Sequence, residues 1–170
     1  MAPLSQNEER LLQEFRSLPI TSNLIIADIN EPGDPLNLCL TFTNAETREI
    51  LPYQLVKFYH TSSVGNYEPT DPTDESTARL NGTSRTNTNG RIFISTILPG
   101  DYGSSANNRH IHTTVFGASP EGYDIHFKQY SGIMGRNFIS NSDQHFLVNL
   151  KKDANGTLVG FITIEVKNPS

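Results

Sequence analysis

The sequence has little of what several common protein classes require. Cys39 is the only cysteine in 170 residues, which excludes an internal disulfide bond and a zinc site built from cysteines. No stretch approaches the run of about 18 apolar residues that a membrane-spanning helix needs. Residues 1–16 are charged and lack the apolar segment of a signal peptide. We therefore expect a cytoplasmic protein with no membrane partner.

Positive charge is also scarce. The chain has 13 lysines and arginines against 18 aspartates and glutamates, and its net charge is −5. This balance removes the electrostatic basis of general nucleic-acid binding, so we expect no nucleic-acid partner. Apolar residues make up only 35% of the chain, yet short clusters of leucine, isoleucine, valine and phenylalanine recur. These clusters suffice for the core of a single domain covering residues 1–170.

One segment, residues 6–18, has the pattern of an amphipathic helix. Ser5 and Glu8 have the spacing of a capping box at its start, and Pro19 ends it. Its apolar face is expected either to pack on the chain's own sheet or to contact a partner subunit, which would make the protein a homodimer. That face consists of Leu11, Leu12, Phe15 and Leu18.

Residues 36–167 have the pattern of an all-β core behind this short helical arm. Runs of β-prone residues alternate with turn clusters such as Leu98-Pro-Gly-Asp101 and Asp153-Ala-Asn-Gly156. Their spacing predicts an antiparallel β-sandwich. The polar segment 61–88 is expected to be either functional or disordered. The predicted strands cover residues 36–43, 54–60, 91–97, 110–116, 124–130, 145–151 and 158–167.

The most specific local signal is His110-Ile111-His112. On a strand, side chains two positions apart share a face, so both imidazoles can reach one metal ion. Histidine is the commonest metal ligand in proteins. A pair of this kind is nevertheless often solvated, or hydrogen-bonded in a core, and the surrounding sequence has to decide between these alternatives.

Three segments ahead of the histidine pair supply that context. Val56-Lys-Phe-Tyr59 precedes Gly65-Asn66-Tyr67, and the run Asn87–Tyr102 reads NTNGRIFISTILPGDY; Arg109-His-Ile-His112 follows. This order resembles the intradiol ring-cleavage dioxygenases. Their pattern has an aromatic-ended strand, G-x-Y, then D-x-x-G-x-Y/F-x-F-x-T-I-x-P-G-x-Y, and then R-P-x-H-I-H. The resemblance covers residues 54–116 and implies the β-sandwich fold of that family.

The resemblance also implies a mononuclear non-haem Fe(III), with Tyr67, Tyr102, His110 and His112 as its ligands. This ligand set makes chemical sense, because ferric iron is a hard cation that prefers anionic oxygen donors. Tyrosine ordinarily titrates near pH 10, but a bound cation favours the phenolate. Because Tyr67 has to reach the iron, we expect segment 61–88 to form one wall of the active site.

The activity that the resemblance implies is insertion of both atoms of O2 between the two hydroxyl-bearing carbons of a catechol-type ring, as in the catabolism of aromatic compounds. In the family, one tyrosinate leaves the iron when substrate binds and accepts a substrate proton; that role would belong to Tyr102. Arg109 would steady the ring carbon that oxygen attacks or bind a substrate carboxylate.

Several departures from the family pattern leave the substrate open. The arginine of that pattern lies three residues before the first histidine and is followed by proline, whereas Arg109 directly precedes His110 and no proline is present. An offset of two residues keeps Arg109 on the same strand face. The usual Trp-Gln is Tyr59-His60. His60 and His126 are candidates to line the pocket. A related iron oxidase acting on a larger natural product, and a non-catalytic β-sandwich binding module, are the alternative functions.

Overall fold

The strands of the chain form two sheets in the computed structural model, which describes residues 1–101 and 107–170. The first sheet has the strand order β1-β5-β2-β10-β9 and the second β4-β3-β6-β7-β8. The strands are β1 (Asn23–Ile25), β2 (Pro35–Asn44), β3 (Leu55–His60), β4 (Leu80–Arg85), β5 (Arg91–Ile97), β6 (Asn108–Val115), β7 (Gly122–Ser131), β8 (His145–Val148), β9 (Lys151–Lys152) and β10 (Leu158–Val166), and the helices are α1 (Gln6–Arg16) and α2 (Ile133–Asn141).

The core lies between the two sheets and follows from the two-residue period of a strand. Leu38 and Leu40 of β2 face Phe58 of β3 and Ile111 of β6, and all four side chains are fully buried. Alternate residues of these strands point away from the core. The predicted β-sandwich is therefore confirmed.

Within the described residues, three strand pairs of this otherwise antiparallel sandwich are parallel. These pairs are β1 with β5, β2 with β10, and β7 with β8. Parallel neighbours need a long crossover connection, so turn signals along the sequence do not reveal them. Between β7 and β8 the crossover contains α2.

Helix α1 packs on the outer face of the first sheet. The predicted capping box is present, because Ser5 N–H donates to Glu8 Oε2 at 2.7 Å and Glu8 N–H donates to Ser5 Oγ at 3.2 Å. Leu12 and Phe15 are buried against Cys39 of the sheet. The apolar face that could have met a partner subunit is thus covered by the chain's own sheet. Neither helix of the described ranges is long and apolar enough to cross a membrane.

The segment 61–88 is more structured than its composition suggested. It contains a short 3₁₀ helix at Glu75–Thr77, its Tyr67 and Glu75 reach His112 on the outer face of the second sheet, and β4 then pairs with β3 along the sheet edge. The inner face of the second sheet belongs to the core. Its outer face is contacted by Tyr67 and Glu75 of this segment and by Phe138 of α2, and this face carries the polar side chains described next.

Candidate metal centre

Strand register brings five ligand-type side chains together on the outer face of the second sheet. His112 of β6 pairs with Asp124 of β7, which pairs in turn with His145 of β8. One row along, His110 pairs with His126. Residues two apart on a strand share a face, so both rows project to the same side. Tyr59 of β3 pairs with His112 and extends the first row.

Three donor atoms converge within this group. Tyr67 Oη lies 2.9 Å from His112 Nε2, and His112 Nε2 lies 3.1 Å from His110 Nε2. Tyr67 comes from the segment after β3, whereas both histidines come from β6. The structure therefore brings together three of the four predicted iron ligands. The fourth, Tyr102, lies outside the described residues.

Two glycines of the predicted motifs fix the approach of Tyr67. Gly65 has a φ of 84°, and a Cβ at this position would overlap the carbonyl oxygen of Asp101. A Cβ at Gly100 would likewise overlap Gly65 N. Both residues have to be glycine because the two backbones lie against each other. The G-x-Y segment and the segment leading to Tyr102 are therefore packed side by side.

Hydrogen bonds set the tautomers of His110 and His112. His112 Nδ1 lies 3.0 Å from Asp124 Oδ1, and His110 Nδ1 lies 3.2 Å from the carbonyl oxygen of Asn108. Both partners accept, so in the neutral imidazoles each Nδ1 carries the proton. The two Nε2 atoms that face each other are then both unprotonated lone-pair donors. With the phenol oxygen of Tyr67, they form a nitrogen and oxygen donor set that suits a cation.

The electrostatics of the group agree with these tautomers. Burial, followed by the nearby His112, lowers the pKa of His110 and favours its neutral form. Burial alone would raise the pKa of Asp124, but the hydrogen bond from His112 and the neighbouring histidines lower it below its ordinary value. Asp124 is therefore ionised at neutral pH and can accept the proton of His112 Nδ1.

Arg109 lies beside the segment that leads to Tyr102. Its guanidinium lies 4.3 Å from the ring centroid of Tyr130, and its Nε lies 3.7 Å from Asp101 Oδ1. Asp101 Oδ1 also accepts a hydrogen bond from Asn108 N–H at 3.0 Å. These contacts tie Asp101 to the start of β6. A contact between Arg109 and substrate stays a prediction.

The two remaining pocket candidates, His60 and His126, lie on opposite faces of the second sheet. His60 is fully buried on the inner face, where Nδ1 donates to the carbonyl oxygen of Thr61 and Nε2 lies 2.7 Å from Thr96 Oγ1. It links the two sheets and does not line the outer face. His126 does lie on that face, where its ring stacks on His110 with centroids 5.6 Å apart.

Sequence reasoning missed several residues around the group. Tyr59 stacks on His112 with ring centroids 4.6 Å apart, and Glu75 Oε1 lies 3.8 Å from His112 Nε2. Asp124 and His145 join His126 in a second cluster whose ligand atoms all lie within 4.8 Å of one another. The D-x-H spacing of Asp124 and His126 on one strand was the only signal that could have indicated it.

A cleft opens beside Tyr67. Its volume is about 570 Å³, which lies in the range of small-molecule sites. Its wall is formed by residues between 65 and 75, and that this wall belongs to the active site stays a prediction. The lining residues are Gly65, Asn66, Tyr67, Glu68, Pro69, Pro72 and Glu75.

The chain is similar to proteins of known structure but not to curated sequences or family models. No protein-family model matches the chain, and no curated protein matches its sequence. Solved structures do match. One is the dioxygenase domain of a carbohydrate-binding fusion protein from Streptomyces sp. SirexAA-E, with a TM-score of 0.62, 19% identity, and coverage of 88% of this chain and 92% of that one.

Two further solved dioxygenase structures are also similar to this chain. An intradiol ring-cleavage dioxygenase from Tetranychus urticae matches with a TM-score of 0.62 and 18% identity over 86% of each chain. The 3-chlorocatechol 1,2-dioxygenase of Rhodococcus opacus 1CP matches with a TM-score of 0.66 and 19% identity over 89% of this chain and 66% of that one. The chain therefore has the β-sandwich fold of the intradiol ring-cleavage dioxygenases.

Proposed function

We propose that the protein is a mononuclear non-haem Fe(III) dioxygenase that cleaves a catechol-type ring between its two hydroxyl groups. The observation that carries this proposal is the convergence of Tyr67 Oη, His110 Nε2 and His112 Nε2. The fold supports it, because the similar structures named above are dioxygenases. Tyr102 is proposed as the fourth ligand.

The donor set fits ferric iron. A phenolate from Tyr67 supplies the anionic oxygen, and His110 and His112 supply neutral nitrogen. Asp124 holds the ring of His112 in place and increases its basicity by accepting the proton of Nδ1. When bound, the iron would act as a Lewis acid and as a template for the two substrate oxygens.

The protein's own residues then have to bind the ring and move protons. The cleft beside Tyr67 receives the substrate next to the donor atoms. Tyr102 is the proposed general base, whose phenolate oxygen takes a proton from a substrate hydroxyl. Arg109 lies against Asp101, the residue before Tyr102, and is proposed to steady this part of the site.

The cleft supports a substrate larger than catechol itself. The cleft of about 570 Å³ is open to solvent, so it leaves room for a ring substituent. The carboxylate of Glu75 beside His112 would repel an anionic ring substituent. We therefore propose a neutral or cationic dihydroxyarene with a sizeable substituent, and O2 as the co-substrate.

Iron analysis with a visible spectrum, followed by oxygen uptake against catechols and larger dihydroxyarenes, tests the proposal. We expect about one iron per chain, the red colour of iron-bound tyrosinate, and uptake of one O2 per ring cleaved to a muconate-type diacid. A colourless protein that holds no iron after loading would overturn the dioxygenase function and favour the binding module. Iron and colour with an uncleaved oxidised product would favour the iron oxidase.

A further inference from the structure

The cluster of Asp124, His126 and His145 adjoins the proposed iron site and shares only Asp124 with it, as the residue that orients His112. His126 Nε2 lies 2.9 Å from His145 Nδ1, and His145 Nδ1 lies 3.6 Å from Asp124 Oδ2. Two nitrogens bound to one tetrahedral Zn²⁺ at about 2.0–2.1 Å lie roughly 3.3 Å apart. Shifts of a few tenths of an ångström would therefore let these atoms share one ion.

We propose that Asp124, His126 and His145 form a second metal site, for a divalent transition metal such as Zn²⁺, coupled to the iron site through the Asp124 carboxylate. Two imidazoles and one carboxylate are a common ligand set of sites that keep an open position. This set lacks a phenolate, so it suits a divalent ion better than ferric iron. The proposal does not depend on the proposed dioxygenase function.

The two carboxylate oxygens of Asp124 allow the sites to coexist. Oδ1 accepts from His112 Nδ1, whose Nε2 belongs to the iron site, while Oδ2 faces His145. One oxygen thus serves each centre. Occupation of the second site would draw charge from the carboxylate and weaken its hold on His112, so each metal is expected to alter the binding of the other.

The second cluster is held in place by packing. His126 is only 2% exposed, and the side chain of His145 is 19% exposed. Phe138 of α2 stacks flat on the ring of His145, with centroids 5.2 Å apart. Parallel pairing of β7 with β8 fixes Asp124 opposite His145. The ligand atoms are therefore preorganised, which distinguishes the cluster from solvated surface histidines.

The probe we choose is Co²⁺, whose tetrahedral complexes absorb strongly in the visible, with Zn²⁺ competition to confirm the site. His110→Ala breaks the iron site and leaves the second cluster intact, whereas His145→Ala does the reverse. Leu147→Ala is the matched control, because Leu147 lies on the same strand, is 41% exposed and is not a ligand. His145→Gln serves as the conservative variant should His145→Ala fail to fold.

We expect His110→Ala and Leu147→Ala to bind Co²⁺ with the absorption of the tetrahedral ion, and Zn²⁺ to displace it. His145→Ala or His145→Gln should bind Co²⁺ at the second site at least about 100-fold more weakly. Even the loss of a residue that only hydrogen-bonds to a metal ligand lowers metal affinity about 10–100-fold. Equal loss in His110→Ala and His145→Ala would show one shared site and overturn the proposal. So would the absence of tetrahedral Co²⁺ in His110→Ala, because the two imidazoles would then only be hydrogen-bonded to each other. Absence of iron colour in the unsubstituted protein, with Co²⁺ binding in His110→Ala retained, would instead count against the dioxygenase function alone.

Discussion

The two ring nitrogens of His112 have different partners, and this division decides what the side chain can do. Nδ1 donates to Asp124, so Nε2 keeps its lone pair and faces Tyr67. The same division holds for His110, where the acceptor is a backbone carbonyl. Which nitrogen of each imidazole can donate a lone pair is thus set as much by the group behind the ring as by the histidine itself.

The two tyrosines of the proposed iron site should fail differently when they lose their hydroxyl groups. Tyr67→Phe removes the anionic donor that is proposed to stay on the iron, so iron content and red colour should both fall. Tyr102→Phe should still hold iron through the other ligands but lack the base, lowering kcat by about 10²–10⁴-fold. Iron analysis and oxygen uptake measure the two effects.

Tyr53→Phe is the control for this pair, because Tyr53 is 62% exposed and lies outside the cluster. It should keep normal iron content and turnover. If Tyr102→Phe lost iron while Tyr67→Phe kept it and turned over slowly, the two roles would be reversed. Normal turnover in both variants would show that neither Tyr67 nor Tyr102 is an iron ligand.

At the scale of the element, the segment 61–79 has a removable part and a fixed part. Arg79 fixes its end through paired hydrogen bonds to Glu31 and a third to Glu68. Thr70 N–H donates to the carbonyl oxygen of Thr77 at 3.1 Å, so the chain between them closes on itself. The wall of the cleft can therefore be shortened without disturbing Tyr67 or β4.

Removal of residues 71–76 should weaken substrate binding and leave the iron site intact. The excised residues include Pro72 and Glu75 of the cleft wall. The residues on either side of the deletion, Thr70 and Thr77, are already hydrogen-bonded to each other. We expect a KM raised several-fold with normal iron content. Steady-state kinetics and iron analysis on the shortened chain test this, and an unchanged KM would contradict a role of the wall in binding.

The elements differ in how far their own sequence specifies them. Helix α1 was predictable because its capping box and apolar face lie within the helix. Helix α2 was not, since its N-cap residue, Gly132, offers no side-chain cap and the helix contains Gly135. The proposed iron site was partly predictable, because both of its histidines lie on one strand. The second proposed site was not, because His145 joins Asp124 only through parallel pairing, which local patterns do not encode.

At the scale of the whole molecule, the two faces of the second sheet have separate tasks. Consecutive residues of β3 show this division. Tyr59 points outward and stacks on His112, whereas His60 points inward and bonds across the core to Thr96 on the first sheet. The inner face stabilises the sandwich and the outer face presents donor atoms. Chemistry on the outer face can therefore change while the core is kept.

The inward histidine should make the fold sensitive to acid. Burial lowers the pKa of His60 to about 4, against about 6.5 when it is exposed. Between these values the unfolded chain binds a proton that the folded chain excludes, so the free energy of unfolding falls as pH decreases through this window. The full effect is about 3 kcal/mol, from 1.36 kcal/mol per unit of pKa.

His60→Gln tests this contribution. The variant should be less stable than the native chain near pH 7, because it loses the hydrogen bonds of the ring. Because glutamine cannot titrate, the variant should also lose less stability on acidification. Urea unfolding of both chains between about pH 7 and pH 4 measures the difference, with metal chelated so that the other histidines contribute equally to both. An equal loss of stability in the two chains would mean that His60 does not carry this acid sensitivity.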